Sequence, residues 1–139
     1  MKQHQVWVEV RTAGKGFFEI TGRVRQAVRE AKITTGLCHV YCTHTSCSLV
    51  IQENADPTAR RDMESWLDRI APENDPDYTH TLEGPDDMPS HLRAMVTQTC
   101  ETVPVADGAP TFGRWQGLYL CEHRARPHTR RLLVHVVGE

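Results

Sequence analysis

Hydrophobic and polar residues alternate near the start of the chain, a pattern typical of β-strands. The range Gln5 to Arg11 places its valines on one face and Trp7 and Glu9 on the other. Residues 12–16 have the composition of a turn, and Phe17 to Ile20 resumes an extended segment. We therefore expect the chain to begin as a β-hairpin.

Two later segments repeat apolar residues at intervals of three or four, as amphipathic helices do. We expect Thr21 to cap the first of them, which runs to about Lys32. The second begins at Asp56-Pro57, where the aspartate suits the N-cap and the proline suits the first helical position. Its apolar positions continue to Ile70.

Other apolar runs predict strands, and they do not alternate regularly with the helices. They are Leu37–Thr43, Cys47–Gln52, Glu101–Val105, Trp115–Cys121 and Arg130–Val137. This order favours an α+β fold with a largely antiparallel sheet over a doubly wound parallel sheet. The length of 139 residues fits a single domain that spans residues 1–139.

The stretch from Glu83 to His91 combines a turn, two aspartates, a helix start and an imidazole. Pro89 and the Asp pair indicate the opening of a third helix. We expect Leu92, Met95 and Val96 to point this helix into the core. A neutral imidazole beside carboxylates can bind a metal ion or transfer a proton. The simpler alternative is a well-capped helix with a surface histidine.

Composition and charge exclude several classes of partner. Charged residues make up 24% of the chain and hydrophobic residues 39%, as in ordinary globular domains. The net charge of -2 provides no overall field that would attract nucleic acid or an anionic membrane. No apolar run approaches the roughly 20 residues of a membrane helix, and the N-terminus lacks the apolar core of a signal peptide. We therefore expect a cytoplasmic protein with neither nucleic-acid nor membrane partners.

The chain has five cysteines, an odd number, and no CxxC motif. Four of them lie in apolar stretches, which favours buried free thiols in a reducing compartment over disulfides. Cys47 follows His44-Thr45-Ser46 and is the one thiol for which a role in a site is considered.

Three polar groups share one property, because each lies at the end of an apolar strand or at the start of a helix. They are His44-Thr45-Ser46 with Glu53-Asn54, His80 with Asp86, Asp87 and His91, and Glu122-His123-Arg124. If the three converge, their imidazoles and carboxylates suit a divalent ion such as zinc, or magnesium bridging carboxylates and phosphate. No HExxH motif fixes the ligands.

Two other kinds of site remain open. The start of the third helix offers free backbone N–H groups, and Ser90 and Arg93 add donors for an anion such as phosphate. The adjacent Asp pair would repel that anion unless a cation lay between them. Ser46 or Cys47 could act as a nucleophile, but no GxSxG motif surrounds either residue.

Five segments together resemble the YjbQ family of small proteins. They are His44-Thr45-Ser46, Gln52 to Pro57, Glu83 to His91, Gly113-Arg114-Trp115-Gln116-Gly117 and Glu122-His123-Arg124. The resemblance covers essentially the whole chain. It implies an α+β sandwich that assembles as a homotrimer, with a polar pocket near the subunit boundaries. One departure is Cys47, where relatives often carry a small residue such as alanine.

The resemblance also implies a set of functional residues and an activity. Its histidines and acids correspond to His44, Glu53, His80, Asp87, His91, Glu122 and His123. The activity associated with the family is a secondary thiamine-phosphate synthase activity. That reaction couples a pyrimidine methyl pyrophosphate to a thiazole phosphate and releases pyrophosphate. No pair of side chains that would stack on a pyrimidine is evident, which fits a weak side activity.

We therefore expect a metal-dependent enzyme that acts on a phosphorylated or pyrophosphorylated small molecule. The expected metal ligands are His44, His80 and His91. The expected catalytic residues are Glu53, Asp87, Glu122 and His123. The expected substrate-binding residues are Thr45, Ser46, Asn54, Asp86 and Arg124. A non-catalytic metal- or anion-binding protein would use the same pocket, and a third alternative makes these residues polar contacts between the subunits of a trimer.

Overall fold

The strands of the protein form two antiparallel sheets. The computed structural model describes all residues, 1–139. In chain order the elements are β1 (Lys2–Thr12), β2 (Gly16–Glu19), α1 (Thr21–Ala31), β3 (Gly36–Cys42), β4 (Cys47–Glu53), α2 (Pro57–Ile70), α3 (Asp87–Met95), β5 (Cys100–Ala106), β6 (Ala109–Pro110), β7 (Gln116–Glu122) and β8 (His128–Gly138). The larger sheet has the order β1-β8-β3-β5-β6, and the smaller has the order β2-β7-β4. The expected α+β fold with a largely antiparallel sheet and three helices is confirmed.

The larger of two hydrophobic clusters lies between the two sheets and α1, and the smaller joins Leu67 of α2 to Phe17, Tyr119 and Cys121 of the smaller sheet. The alternation in β1 turns Val8 and Val10 inward, as the sequence predicts. They share a cluster with Val24 of α1 and with Leu118 and Leu120 of β7. Burial of this apolar surface is the main favourable term in folding. No helix of the structure is long and apolar enough to span a membrane.

The prediction of an N-terminal hairpin is wrong. β1 pairs with β8 and β2 pairs with β7, so the turn at residues 12–16 carries the chain from one sheet to the other. Alternation fixes which face of a strand is buried but carries no information about its partner. Thr21 also does not cap α1, since Ile20 is the N-cap residue. The Thr21 hydroxyl instead donates to Glu19 and accepts the backbone N–H of Leu118.

The helix α2 begins as predicted but packs differently. The Asp56 carboxylate accepts the backbone N–H of Thr58, as an N-cap does. Of the predicted apolar stripe only Leu67 is buried, and Trp66 and Ile70 are exposed.

The expectation that α3 points Leu92, Met95 and Val96 into the core is also wrong. Met95 and Val96 are exposed, whereas Ser90 and Arg93 are buried. Polar residues can face inward here because the Ser90 hydroxyl and one end of the Arg93 guanidinium have partners within the protein, although the Arg93 Nε has none. The Ser90 hydroxyl donates to a backbone carbonyl of its own helix, and Arg93 pairs with the carboxylate of Asp68 at 2.6 Å.

A buried ion pair joins the two sheets at the end of β7. The Glu122 carboxylate accepts from the Thr12 hydroxyl at 2.7 Å and from the Arg130 Nε at 2.8 Å. It also accepts from the Arg130 Nη2 and from the backbone N–H of Arg124. Burial alone would raise the pKa of Glu122, but the hydrogen bonds from Arg130 and Thr12 outweigh it and lower that pKa. Glu122 is therefore ionised at neutral pH.

A buried histidine follows the ion pair. The His123 Nε2 is 2.8 Å from the Ser48 hydroxyl, which also contacts the Thr97 hydroxyl. Thr97 in turn donates to the backbone carbonyl of Arg93 on α3. Burial, together with the positive charge of Arg93, lowers the pKa of His123 to about 3. His123 is therefore neutral at physiological pH and ties β7 to β4 and α3.

This buried imidazole predicts a loss of stability in mild acid. Because its pKa is lower in the folded than in the unfolded chain, the unfolded chain binds more protons below the unfolded pKa of about 6.5. As the pH falls from about 6.5 towards 3, this one group should lower the free energy of unfolding by about 1.4 kcal/mol per pH unit. Urea unfolding of the wild type and of His123→Gln between pH 7 and pH 4.5 would measure it. The wild type should show the steeper loss, and equal slopes would contradict the assignment.

Candidate functional site

Most of the predicted site residues meet at one end of the smaller sheet. Cys47 at the start of β4 is paired in register with Glu122 at the end of β7. The loop 43–46 therefore lies beside residues 122–124. α3 approaches the same place, because the His91 ring contacts the backbone of Thr45 and Asp87 contacts Arg124.

Glu53 and Asn54 lie at the opposite end of the same strands. Glu53 is in register with Gln116, six residues along β4 from Cys47, which is about 20 Å in an extended strand. The Glu53 carboxylate accepts the backbone N–H of Asp56 at 3.0 Å. The Asn54 amide donates to the backbone carbonyl of Gln116 at 3.3 Å. Within one chain, these two residues are not brought together with the other predicted site residues.

Three side chains form a compact group on the loop before α3 and on its first turns. The Nε2 of His80 is 2.7 Å and the Nε2 of His91 is 3.1 Å from the same Asp87 oxygen, Oδ2. One ligand atom from each of the three residues lies within 4.8 Å of the others. Asp87 and His91 are separated by one helical turn, so both project from one face of α3. These three side chains have the composition and spacing of a metal site.

The hydrogen bonds of His91 define its protonation. Its Nδ1 is 3.0 Å from the backbone carbonyl of Thr45, which can only accept, so Nδ1 carries a proton. A neutral His91 then directs the lone pair of Nε2 at the carboxylate of Asp87. Two acceptors facing each other repel, and a cation between them removes the repulsion. The arrangement therefore favours a positive charge at this point.

Arg124 holds the Asp pair in place. Its Nε is 3.1 Å from Asp86 Oδ2 and its Nη1 is 2.6 Å from Asp87 Oδ1, while Nη2 donates to the backbone carbonyl of Glu83. The backbone N–H of Ala125 also donates to Asp86. Burial would raise the pKa of both aspartates. The hydrogen bonds and charges around them outweigh it, chiefly Ala125 and Arg124 for Asp86 and His80, His91 and Arg124 for Asp87, so both pKa values are lowered. Every guanidinium nitrogen of Arg124 already has a protein partner, so Arg124 positions the site carboxylates.

His44 lies beside this group but is not part of it. Its Nε2 accepts the backbone N–H of Arg131 at 2.9 Å. Burial, followed by the charge of Arg130, lowers the pKa of His44. His44 is therefore neutral, with its proton on Nδ1.

At this end of the smaller sheet, the other predicted site residues either contribute backbone carbonyls or have buried side chains. The Thr45 carbonyl fixes the ring of His91, and the Ser46 carbonyl accepts the backbone N–H of His123. Glu122 and His123 are 1% and 2% exposed and take part in the networks that join the sheets. Their contacts are those of supporting residues.

A groove of about 890 Å³ opens next to His91. It runs between the end of β3, the loop 43–46 and the C-terminal half of α3. Its lining residues are Tyr41, Cys42, Thr43, His44, Thr45, Cys47, His91, Ala94, Met95, Thr97, Gln98, Thr99 and Cys100. None of them is Asp, Glu, Lys or Arg. Sequence reasoning missed this surface because Met95 has the spacing of a core residue.

Known proteins resemble the chain over almost its entire length. A family model described as "UPF0047 protein YjbQ-like" matches residues 4–139. A UPF0047 protein of Synechocystis sp. is 43% identical over 138 residues, which are 99% of this chain and 94% of that protein. The UPF0047 protein YjbQ of Escherichia coli O157:H7 is 37% identical over 137 residues, 98% of this chain and 99% of that protein.

Solved structures agree with the sequence relatives. A crystal structure of an uncharacterised YjbQ/UPF0047 family protein from Clostridium acetobutylicum has a TM-score of 0.88 and 31% identity, and covers 95% of this chain and 99% of its own. A conserved hypothetical protein from Thermus thermophilus has a TM-score of 0.85 and 34% identity, with the same coverage. Family model, sequence relatives and fold point to one conclusion: the chain belongs to the YjbQ-like UPF0047 family.

Proposed function

We propose that the chain binds a divalent metal ion through His80, Asp87 and His91 and acts on a phosphorylated or pyrophosphorylated small molecule. One observation carries the proposal. Two imidazole nitrogens converge on one oxygen of Asp87, and the other nitrogen of His91 is fixed as a donor by the Thr45 carbonyl. A cation shared by the three side chains would satisfy all of them.

The donor set favours zinc over magnesium. Two imidazole nitrogens and one carboxylate oxygen match catalytic zinc sites, which have three protein ligands and keep one position for water or substrate. Magnesium prefers oxygen ligands in an octahedral arrangement, so a site with two imidazoles suits it poorly. The partners around the ligands also fit, because Arg124 and the Thr45 carbonyl orient Asp87 and His91.

The residues of this chain would have two roles, which are to position the metal ligands and to bind the organic part of the substrate. A bound metal ion supplies a Lewis acid for phosphate oxygens and lowers the pKa of a bound water. Arg124 holds Asp87 in position, and the Thr45 carbonyl holds the His91 ring. The uncharged groove beside His91 would receive the organic part of the substrate. His44 lines that groove with its proton on Nδ1, so it can only donate to a ligand.

Within this proposal, thiamine-phosphate synthesis is a weak secondary activity. The reaction needs a cation that stabilises the departing pyrophosphate and groups that hold the pyrimidine. The proposed metal ligands support the first requirement. Tyr41 is the one Phe, Tyr or Trp side chain that lines the groove, so the pyrimidine would be held loosely.

Removal of one imidazole should weaken metal binding. We expect the wild-type protein to bind about one zinc ion per chain and His91→Ala to bind it more than roughly 100-fold more weakly, because loss of one of three ligands costs more than the 10- to 100-fold that is typical for loss of an outer hydrogen-bond partner. Elemental analysis of the untagged protein and calorimetric titration with zinc would measure both. His4→Ala is the matched control, since His4 lies on β1 and its Nε2 faces Glu30 of α1, away from the site. Absence of saturable zinc binding, or equal affinity in wild type and His91→Ala, would refute the metal site.

A panel of phosphate and pyrophosphate esters separates an enzyme from a binding protein. We expect zinc-dependent release of phosphate or pyrophosphate that is lost in Asp87→Asn, because that change removes the carboxylate charge from the site. Asp62→Asn on the exposed face of α2 should retain the activity. Formation of thiamine phosphate should be detectable but slower than the best reaction of the panel. Tight binding of metal or phosphate with no turnover would favour the non-catalytic alternative.

We also propose that the chain assembles as a homotrimer, as its resemblance to the family implies. The outward face of the larger sheet supports self-association, because Trp7, Leu37 and Tyr41 are between 42% and 49% exposed there. Their strands, β1 and β3, lie on either side of β8. Apolar residues that cluster on an exposed sheet face commonly mark an interface.

A charge on this sheet face should dissociate the trimer. Leu37→Arg would bury an unpaired guanidinium in the interface, and light scattering should then give the mass of a monomer. Leu82→Arg is the control, because Leu82 is 99% exposed on a loop and its substitution should leave the trimer intact. If instead Asp87→Asn and His91→Ala dissociate the protein while Leu37→Arg does not, the polar residues hold the subunits together.

A further inference from the structure

Two buried thiols meet on the inner side of the groove. Cys42 ends β3 and Cys47 begins β4, and their Sγ atoms are 3.4 Å apart. Both residues line the groove, although each is only 1% exposed. The loop 43–46 connects them, so one short segment separates two sulfurs in van der Waals contact.

We propose that Cys42 and Cys47 form a redox modification site, in which hydrogen peroxide entering the groove converts the two thiols into an intramolecular disulfide. Hydrogen peroxide is the suitable oxidant class because it is close to water in size and can reach sulfurs that larger disulfide reagents cannot. Among the other cysteines, Cys38 and Cys121 are buried and Cys100 is exposed.

The chemistry requires no group beyond the two thiols and the peroxide. The deprotonated sulfur of Cys42 attacks one peroxide oxygen, the O–O bond breaks, and hydroxide leaves with the proton that the thiol has released, as water. Cys42 is then a sulfenic acid. The sulfur of Cys47 attacks the sulfenic sulfur, the S–O bond breaks, and a second water leaves. Two thiols and one peroxide thus give one disulfide and two waters, with two electrons passing from sulfur to oxygen.

The surroundings assign different roles to the two sulfurs. The hydrogen bond from Cys47 lowers the pKa of Cys42 to about 7, assisted by the backbone of His44 and the charge of Arg130. Donation of that hydrogen bond, and burial, raise the pKa of Cys47. Cys42 is therefore the attacking sulfur and Cys47 the resolving one. Burial raises the pKa of Cys38 to about 11, which makes it unreactive.

Disulfide formation would change the loop that orients His91. A disulfide has an S–S distance of about 2.05 Å, so the sulfurs must move together by more than 1 Å from their 3.4 Å contact. Between them lies Thr45, whose carbonyl accepts from His91, and Ser46, whose carbonyl accepts from Arg130. We expect the oxidised protein to bind zinc about 10-fold more weakly, by loss of an outer hydrogen bond to a ligand. This second consequence rests on the proposed metal site, whereas the disulfide itself does not.

The test treats the full chain with hydrogen peroxide and measures free thiols, intact mass and disulfide-linked peptides. Wild type and Cys100→Ser should each lose two thiols and about 2 Da, and dithiothreitol should restore them. Cys42→Ser and Cys47→Ala should form no such disulfide. Cys100→Ser is the matched control, because Cys100 is exposed at the groove and would react first if accessibility alone decided.

Peptide mapping of the wild type decides the proposal even if a variant fails to fold. A Cys42–Cys47 linked peptide supports the site, and oxidation confined to Cys100, or a different pairing, overturns it. Zinc titration of reduced and oxidised protein tests the coupling: a 10-fold weakening supports it, and equal affinities overturn it. If neither form binds zinc, the proposed metal site fails while the thiol count still decides the redox site.

Discussion

The ion pair between Glu122 and Arg130 is the constraint on which the rest of the site depends. A buried carboxylate is costly unless its charge is paired and its oxygens accept hydrogen bonds. Glu122 meets this condition with donors from β1, from β8 and from the backbone after β7. Loss of one partner of such a pair typically costs about 3–5 kcal/mol, because the other charge stays buried alone. The position of β7 against the larger sheet is thereby fixed.

The position of the candidate metal group follows from this pair. Arg124 comes two residues after Glu122 and donates its backbone N–H to that carboxylate, so its own backbone is fixed. Its side chain then reaches outward to Asp86 and Asp87 and presents the second oxygen of Asp87 to the two imidazoles. One continuous set of hydrogen bonds thus connects the buried ion pair to the imidazoles beside the groove. A carboxylate held on one side by a guanidinium keeps its other oxygen available on the opposite side.

Local features of this chain could be predicted from sequence, and long-range ones could not. The inward valines of β1 and the start of α2 at Asp56-Pro57 follow from alternation and from capping, which involve only near neighbours. The prediction of a hairpin was wrong because the partner of β1 is β8, at the other end of the chain. The inward face of α3 was misjudged because the hydrogen bond of Ser90 and the ion pair between Arg93 and Asp68 are invisible in sequence.

The same distinction between local and long-range features applies to the candidate site. His80, Asp87 and His91 are close in sequence, and the structure places their side chains together. His44 follows β3 and Glu53 ends β4, and sequence does not say which strand ends coincide in space. The structure places Glu53 with Gln116 and leaves His44 bonded to the backbone of Arg131.

The net negative charge of the candidate site bears on how a phosphorylated substrate could bind there. Asp86 and Asp87 carry two negative charges and Arg124 one positive charge, so these three sum to -1 when the imidazoles are neutral. Exposed Glu83, 3.8 Å from His80, adds a further negative charge. The carboxylates would repel a phosphate that approached this group alone. The groove next to His91 offers no Lys or Arg to compensate, and Arg126 lies on the other side, beside Glu83 and Asp86. A dication held by His80, Asp87 and His91 would cancel both excess charges and keep a coordination position for a phosphate oxygen. On the proposed function, a dication at this place would therefore favour the binding of a phosphorylated molecule.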